Sequence, residues 1–141
     1  MDDTLTALAN GGVTFRSRED TLRAQANNET LKSTYGMIWI DVEGTQYWSS
    51  STSNNVNFID EMVNEGVKKG VSIGIYTSQS QWTPITGGTT KFSSYPLWYA
   101  HYDNDPYFDD FVPFGGWSSP AIKQYAGTTS LCSASVDKNH Y

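Results

Sequence analysis

The chain has 141 residues, enough for a single domain with a real core, and its 14% aromatic, 17% charged composition suits either a large core or a cleft for ring-shaped ligands. The net charge is −6, from nine basic and fifteen acidic residues, and no basic run exceeds Lys68-Lys69, which argues against nucleic acid or an anionic membrane surface as the main partner. One cysteine, Cys132, and two histidines exclude an intramolecular disulfide and an ordinary zinc site.

In chain order, the opening "MDDTLTALANGG" starts acidic and lacks a long apolar stretch, so it does not read as a signal peptide. It carries a weak helical pattern at Leu5 and Leu8, then a Gly11-Gly12 break and "VTF". From Ser17, "SREDTLRAQANNETLKSTYG" reads as a helix with Leu22, Ala26 and Leu31 inward; Ser17 with Asp20 is an N-cap pairing and Gly36 a stop. "MIWID" has the β-branched and aromatic content of a buried strand. After the polar loop "GTQYWSSSTSNN", Val56, Ile59, Met62, Val63 and Val67 fall at helical spacing, and Gly70 ends that helix. "VSIGIYTS" is the next buried strand, which completes a parallel βαβ unit. The strand-like segments "YPLWYAHYD", "SPAIKQYAG" and "SASVDKNHY" follow, with gaps rich in Gly, Pro and Ser and no convincing amphipathic helix between them. Helix-bearing strands first and helix-free strands last is not the order of a doubly wound α/β fold. There is no internal repeat.

The first strand ends in Asp41-Val42-Glu43. Residues two apart on a strand share a face, so the two carboxylates project together if the strand continues through them. They sit at its C-terminal end, where active sites of parallel α/β architectures gather. Adjacent carboxylates raise each other's pKa, so one can stay protonated as a general acid. A turn-capping Asp and a solvated Glu is the plainer account of the same pattern, and the motif alone is weak. The other strand ends add weight: Tyr76 ends "GIYTS", and Trp98, Tyr99, His101 and Tyr102 lie near the end of "LWYAHYD". Gln124 and Tyr125 follow in "KQYAG", with Asp137 and Asn139 in "SVDKNHY". For any single aromatic, core packing is the ordinary role, and of Trp98 and Tyr99 only one can face inward. His101 reads by default as a surface or hydrogen-bonded histidine, and Cys132 as inert. Asp137, inside the apolar-leading "ASVD", is harder to assign to simple solvation.

"MIWIDVEG", "GIYTSQSQW", "PLWYAHYD", "FGGWSSPAIKQYAG" and "SVDKNHY" together resemble the family 25 glycoside hydrolases, lysozymes of peptidoglycan, most closely a eukaryotic branch. The resemblance runs from about Tyr35 to Tyr141. It implies an α/β fold: a modified TIM-type β/α barrel whose last strands lack helices, present here as a partial, C-terminal barrel. Residues 1–34 are a poorly matching segment plus helix, and residues 35–141 are the C-terminal part of the barrel, one domain overall. The first barrel strand of the family, with a further active-site aspartate, has no match here, so a truncated product, a misjudged gene start and a degenerate paralogue are the alternatives. The resemblance further implies an N-acetylmuramidase that uses substrate-assisted retaining chemistry, with Glu43 as general acid, Asp41 assisting the N-acetyl group, and Asp137 setting protonation and orientation. Tyr76, Trp98, Tyr99, Gln124, Tyr125 and Asn139 would bind substrate. No cofactor or metal is implied. The implied partner is the glycan of bacterial peptidoglycan, not nucleic acid or a membrane, in an extracellular or lysosome- or phagosome-like compartment. The family partner of Cys132 would lie in the missing part. The alternative is an inactive paralogue that binds peptidoglycan or other glycans.

Overall fold

The computed structural model describes residues 36–141 and the backbone of Val13–Phe15. The helix expected over 17–35, its capping pair and the weak pattern at Leu5 and Leu8 lie outside the described residues.

Six strands form one sheet in strictly sequential order: β1 (Val13–Phe15), β2 (Ile38–Asp41), β3 (Ile73–Thr77), β4 (Leu97–Ala100), β5 (Ile122–Leu131) and β6 (Ala134–His140). Strands β1 to β5 run parallel and β6 is antiparallel to β5. The "VTF" segment thus enters the sheet beside β2, with Val13 opposite Ile38 and Phe15 opposite Ile40. Helix α1 (Thr52–Lys68) joins β2 to β3, and α2 (Gln79–Thr86) joins β3 to β4. Crossovers that always advance in one direction, right-handed as such connections are, keep the two described helices on one face. This is the winding of a barrel rather than of a doubly wound sheet, where the order reverses and helices cover both faces. The fold is an open arc of an α/β barrel.

Alternation along the strands separates two apolar layers. Ile38, Ile40, Val42, Ile73, Ile75, Leu97 and Tyr99 point toward the helices and pack with Ile59, Met62 and Val63 of α1 and Trp82 and Ile85 of α2. On the other face Trp39, Tyr76, Trp98 and Ile122 form a second cluster. β2 and β3 are therefore buried on both sides, and they read as continuous apolar runs for that reason.

Helix α1 starts at Ser51, whose side chain accepts from the Asn54 N–H at 3.4 Å. It ends as its sequence suggests: Gly70 takes φ 73° and the Val71 N–H reaches back to the Gly66 carbonyl at 3.0 Å, a Schellman-type closure. Ile59, Met62 and Val63 are buried and Val56 is packed against the core, but Val67 stays half exposed because the last turn runs past the edge of the apolar layer. Helix α2 was not apparent from the sequence. It is short, contains Pro84, and presents only Trp82, Ile85 and Thr86 inward, too few positions for a clear period.

No helix joins β4 to β5. Phe108, Phe111 and Phe114 from the connecting segment pack on the core where a helix would lie, with Tyr99–Phe111 and Phe114–Trp117 ring centroids 5.1 and 5.6 Å apart. β5 and β6 are joined by a two-residue turn, Cys132 and Ser133, both with positive φ (51° and 64°), which forces the antiparallel direction. Cys132 is exposed there as a free thiol.

Trp39 lies across β3 at Gly74, its register partner, and its ring meets Trp98 edge-on at 5.8 Å. A Cβ at Gly74 would stand 2.4 Å from two ring carbons of Trp39. Gly74→Ala is expected to lower stability by about 1–3 kcal/mol through overpacking of this layer. The check is a denaturant titration, in which the midpoint should fall at unchanged slope.

Candidate active site

Asp41 closes β2 on the face of Trp39, and the register sets it beside Tyr76 of β3. The chain stays in the ladder for one residue more: the Val42 N–H donates to the Tyr76 carbonyl at 2.8 Å, and Thr77 Oγ1 donates to the Val42 carbonyl at 2.7 Å. Val42 packs into the helix-side core, so Glu43 emerges on the Asp41 side at the C-terminal end of the sheet. Asp41 is buried and Glu43 half-buried. The backbone around Glu43 is pinned from two elements. Trp48 Nε1 donates to its carbonyl at 2.9 Å, and the next N–H, that of Gly44 at φ 71°, donates to Gln81 Oε1 of α2 at 2.8 Å. Buried Asn55 holds the loop behind it, donating to the Ser49 and Ile85 carbonyls at 2.8 Å and accepting from the Ser49 N–H at 3.0 Å.

From Tyr76 a chain of hydrogen bonds crosses the same face to the last strand. Tyr76 OH donates to Gln124 Oε1 at 2.6 Å, and Gln124 Nε2 donates to Asp137 Oδ2 at 3.0 Å. The β4 residue paired with Gln124 is Ala100, whose small side chain leaves room for the phenol to span β4. The Thr128 N–H, at φ 53°, donates to Asp137 Oδ1 at 2.9 Å. Irregular register between Gln124 and Thr129 turns β5 so that this N–H meets the carboxylate. Asn139 Oδ1 accepts from Trp98 Nε1 at 2.8 Å. Burial, then the neighbouring Tyr102 hydroxyl, then the charges of Glu43 and Asp41 raise the Tyr76 hydroxyl far above an ordinary phenol, so it keeps its proton.

The fold thus gathers Asp41, Glu43, Tyr76, Trp98, Gln124, Asp137 and Asn139 on the face away from the helices. Tyr99 is not among them. Alternation sends it to the helix side, where it packs on Phe111 and donates to Asp110 Oδ1 at 3.0 Å. Tyr125 is half-buried and lies where the β5–β6 register is irregular, between Gln124 and Ala126. Tyr102 belongs to the site more firmly than the sequence alone suggested: its OH donates to Gln124 Oε1 at 2.7 Å. The signal was the two-residue spacing of Trp98, Ala100 and Tyr102, which continues past the strand end.

Behind the sheet lies a separate ionic cluster. Lys123 is fully buried, and its Nζ donates to Asp103 Oδ2 and Asp110 Oδ1, each at 2.8 Å, and to the Tyr107 carbonyl at 3.0 Å. His101 Nδ1 is paired with Asp110 Oδ2. Burial pulls the Lys123 ammonium down, but its hydrogen bonds to Asp103 and Asp110 outweigh that and hold it above the usual lysine value. Burial raises Asp110, yet its bonds from Lys123, His101 and Tyr99 win and hold it well below the carboxylate range. The Lys123 hydrogen bond lowers Asp103 as well. Tyr99 is pushed up to about 12, by burial first and then by its bond to Asp110. His101, Asp103 and Asp110 bring three donor atoms within 4.8 Å of one another, and the Lys123 ammonium bonds both carboxylates.

A family model described as "Lysozyme-like protein 1" matches residues 14–125. The chain is 53% identical over 107 residues to "Probable GH family 25 lysozyme 2" of Dictyostelium discoideum, covering 76% of this chain and 50% of that protein. It is 42% identical over 133 residues to "Counting factor 45-1" of the same organism, covering 93% of this chain and 44% of that one. Among solved structures, a family GH25 lysozyme from Aspergillus fumigatus superposes with a TM-score of 0.55 at 27% identity, over 65% of this chain and 46% of that chain. The lysozyme from Streptomyces coelicolor superposes with a TM-score of 0.68 at 19% identity, over 92% and 66%. The chain spans about half the length of the curated relatives it matches.

Replacing Lys123 with Met strands two carboxylates that keep some solvent contact, so the expected loss is about 2–4 kcal/mol, below that for a fully buried pair. Asp103 and Asp110 are depressed in the folded state, so their contribution is complete above the unfolded carboxylate value of about 4 and fades as pH falls below it. Thermal melts should show a stability loss below about pH 4 that is smaller in Lys123→Met.

Proposed function

The chain belongs to the family 25 glycoside hydrolases, the lysozyme-like family, and from that premise we propose that it hydrolyses peptidoglycan as an N-acetylmuramidase. The scissile link is the β-1,4 bond between N-acetylmuramic acid and N-acetylglucosamine. The observation that carries the reading is the placement of Asp41 and Glu43 at the C-terminal end of β2, on the face where Tyr76, Gln124 and Asp137 are joined by hydrogen bonds.

In this reading Glu43, at the rim, donates its proton to the glycosidic oxygen as the bond to C1 breaks. The acetamido oxygen of the same sugar attacks C1, and buried Asp41 draws on the acetamido N–H, which strengthens that oxygen as a nucleophile. Water then opens the cyclic intermediate with Glu43 acting as base, so configuration is retained. This route stands apart from the scheme in which a second carboxylate forms the covalent bond. Trp98 and Tyr76 form the floor, their rings edge-on at 4.6 Å, with Asn139 fixing the indole. The substrate assigns the enzyme to bacterial cell walls met outside the cell or in a lysosome- or phagosome-like compartment. Residues 35–141 would form most of the barrel, with β1 (Val13–Phe15) adding a strand beside β2.

A second reading is glycan binding without turnover. It draws on the similarity to counting factors, whose names denote no hydrolase. Clearing of bacterial cell-wall suspensions separates the two, measured from acidic to neutral pH for the native chain and Glu43→Gln. Loss of the general acid should slow clearing by roughly 10²–10⁴-fold. Equal clearing by both proteins would sink the catalytic assignment; no clearing by either, with peptidoglycan still pulled down, would support binding alone.

A further inference from the structure

Gln124 is buried, and its side chain bonds to three other side chains of the protein: two phenols on Oε1 and Asp137 on Nε2. A carboxamide can turn over, exchanging its oxygen and nitrogen, but here the choice is made by charge. An ionised carboxylate only accepts hydrogen bonds, so Asp137 must face the NH₂ group. The Thr128 N–H on the other oxygen holds Asp137 in that orientation. Gln124 Oε1 is thereby turned toward Tyr76 and Tyr102. Each phenol has a single proton, and each gives it to Gln124. What the two hydroxyls have left for anything else is lone pairs. Tyr102 is 59% exposed just past the end of β4, with its ring beside Gly127, so the residue that carries this oxygen stands at the protein surface.

We infer that Gln124 is a positioning residue that holds the hydroxyl protons of Tyr76 and Tyr102 inward, so that the Tyr102 oxygen acts as an obligate acceptor for the acetamido N–H of an N-acetylated sugar bound next to the one that Asp41 engages. An acceptor-only oxygen suits a ligand group that can only donate and rejects one that can only accept. A sugar hydroxyl can donate or accept, whereas an amide N–H can only donate. Both lone-pair positions of Gln124 Oε1 are already filled, so it shapes the site by setting the polarity of its neighbours. The sugar class rests on the glycosidase reading; the polarity does not.

The test compares binding of the tetramers of N-acetylglucosamine and of glucose by the native chain, Tyr102→Phe and Gln124→Met, with melting temperatures as the folding control. The native chain should prefer the acetylated tetramer. Tyr102→Phe should weaken that tetramer about 3- to 10-fold, the worth of one hydrogen bond, with little change for the glucose tetramer. Gln124→Met keeps the bulk but frees both phenol protons, and it should reduce the preference although Tyr102 is intact. An unchanged preference, or an equal loss for both tetramers, overturns the positioning role. If the native chain binds neither tetramer, the saccharide reading fails, and the polarity is read from hydroxyl-proton resonances in the ligand-free chain. A Tyr76 hydroxyl proton that is protected in the native chain and lost in Gln124→Met upholds it; no protected proton in the native chain overturns it.

Discussion

Strands β2 and β3 are buried along their whole length on both faces, so each successive side chain belongs to a different layer. The sequential parallel register makes those choices coincide from strand to strand: Asp41 stands beside Tyr76, Tyr76 beside Trp98, Trp98 beside Ile122. A slip of one residue in any strand would send its cleft side chains into the helix layer and bring isoleucines out in their place. The large aromatics make such a slip costly, because Trp39 fits only over a glycine and Trp98 only between Trp39 and Tyr76. The chemistry of the cleft face thus depends on the packing of the layer beneath it.

Two consecutive residues of β5 tie the sheet to what lies on either side. Lys123 points toward the helix side and gathers Asp103, Asp110 and the Tyr107 carbonyl, which fastens the long helix-free connection between β4 and β5. Gln124 points the other way and gathers Tyr76, Tyr102 and Asp137. Both side chains are buried and polar, and such groups are tolerated only when their hydrogen bonds are met. The connection without a helix is therefore not loose at this point: an ammonium and three phenylalanines hold it where the β2–β3 and β3–β4 crossovers use a helix. The same arrangement keeps Tyr102 at the end of β4, within reach of Gln124.

Much of this was legible in the chain. Continuous apolar runs announced β2 and β3, and the period of Ile59, Met62 and Val63 announced α1, because both signals come from burial that repeats at short range. The absence of helices after β4 was visible in the Gly, Pro and Ser content of the gaps. Asp41 with Glu43 could be singled out because two-residue spacing implies a shared face. Helix α2 was hidden by Pro84 and by how few inward positions it has. Tyr99 could not be told from Trp98 by residue type, since both sit on one strand and only the phase of the strand separates them.

The sequence by itself determined the parallel unit, the paired acids at a strand end and the family to which they point, since each is written in residues close together along the chain. The tertiary structure decided which member of each neighbouring pair faces the cleft, the antiparallel return of β6 through Cys132 and Ser133, and the link from Tyr76 through Gln124 to Asp137. Those links span 48 and 13 residues and depend on a register irregularity in β5, so no local pattern could encode them. Gln124 and Asp137 stood out in the sequence separately, as polar residues in strand-like runs. Only the fold made one the orienting partner of the other, because hydrogen-bond polarity is settled by groups that meet in space.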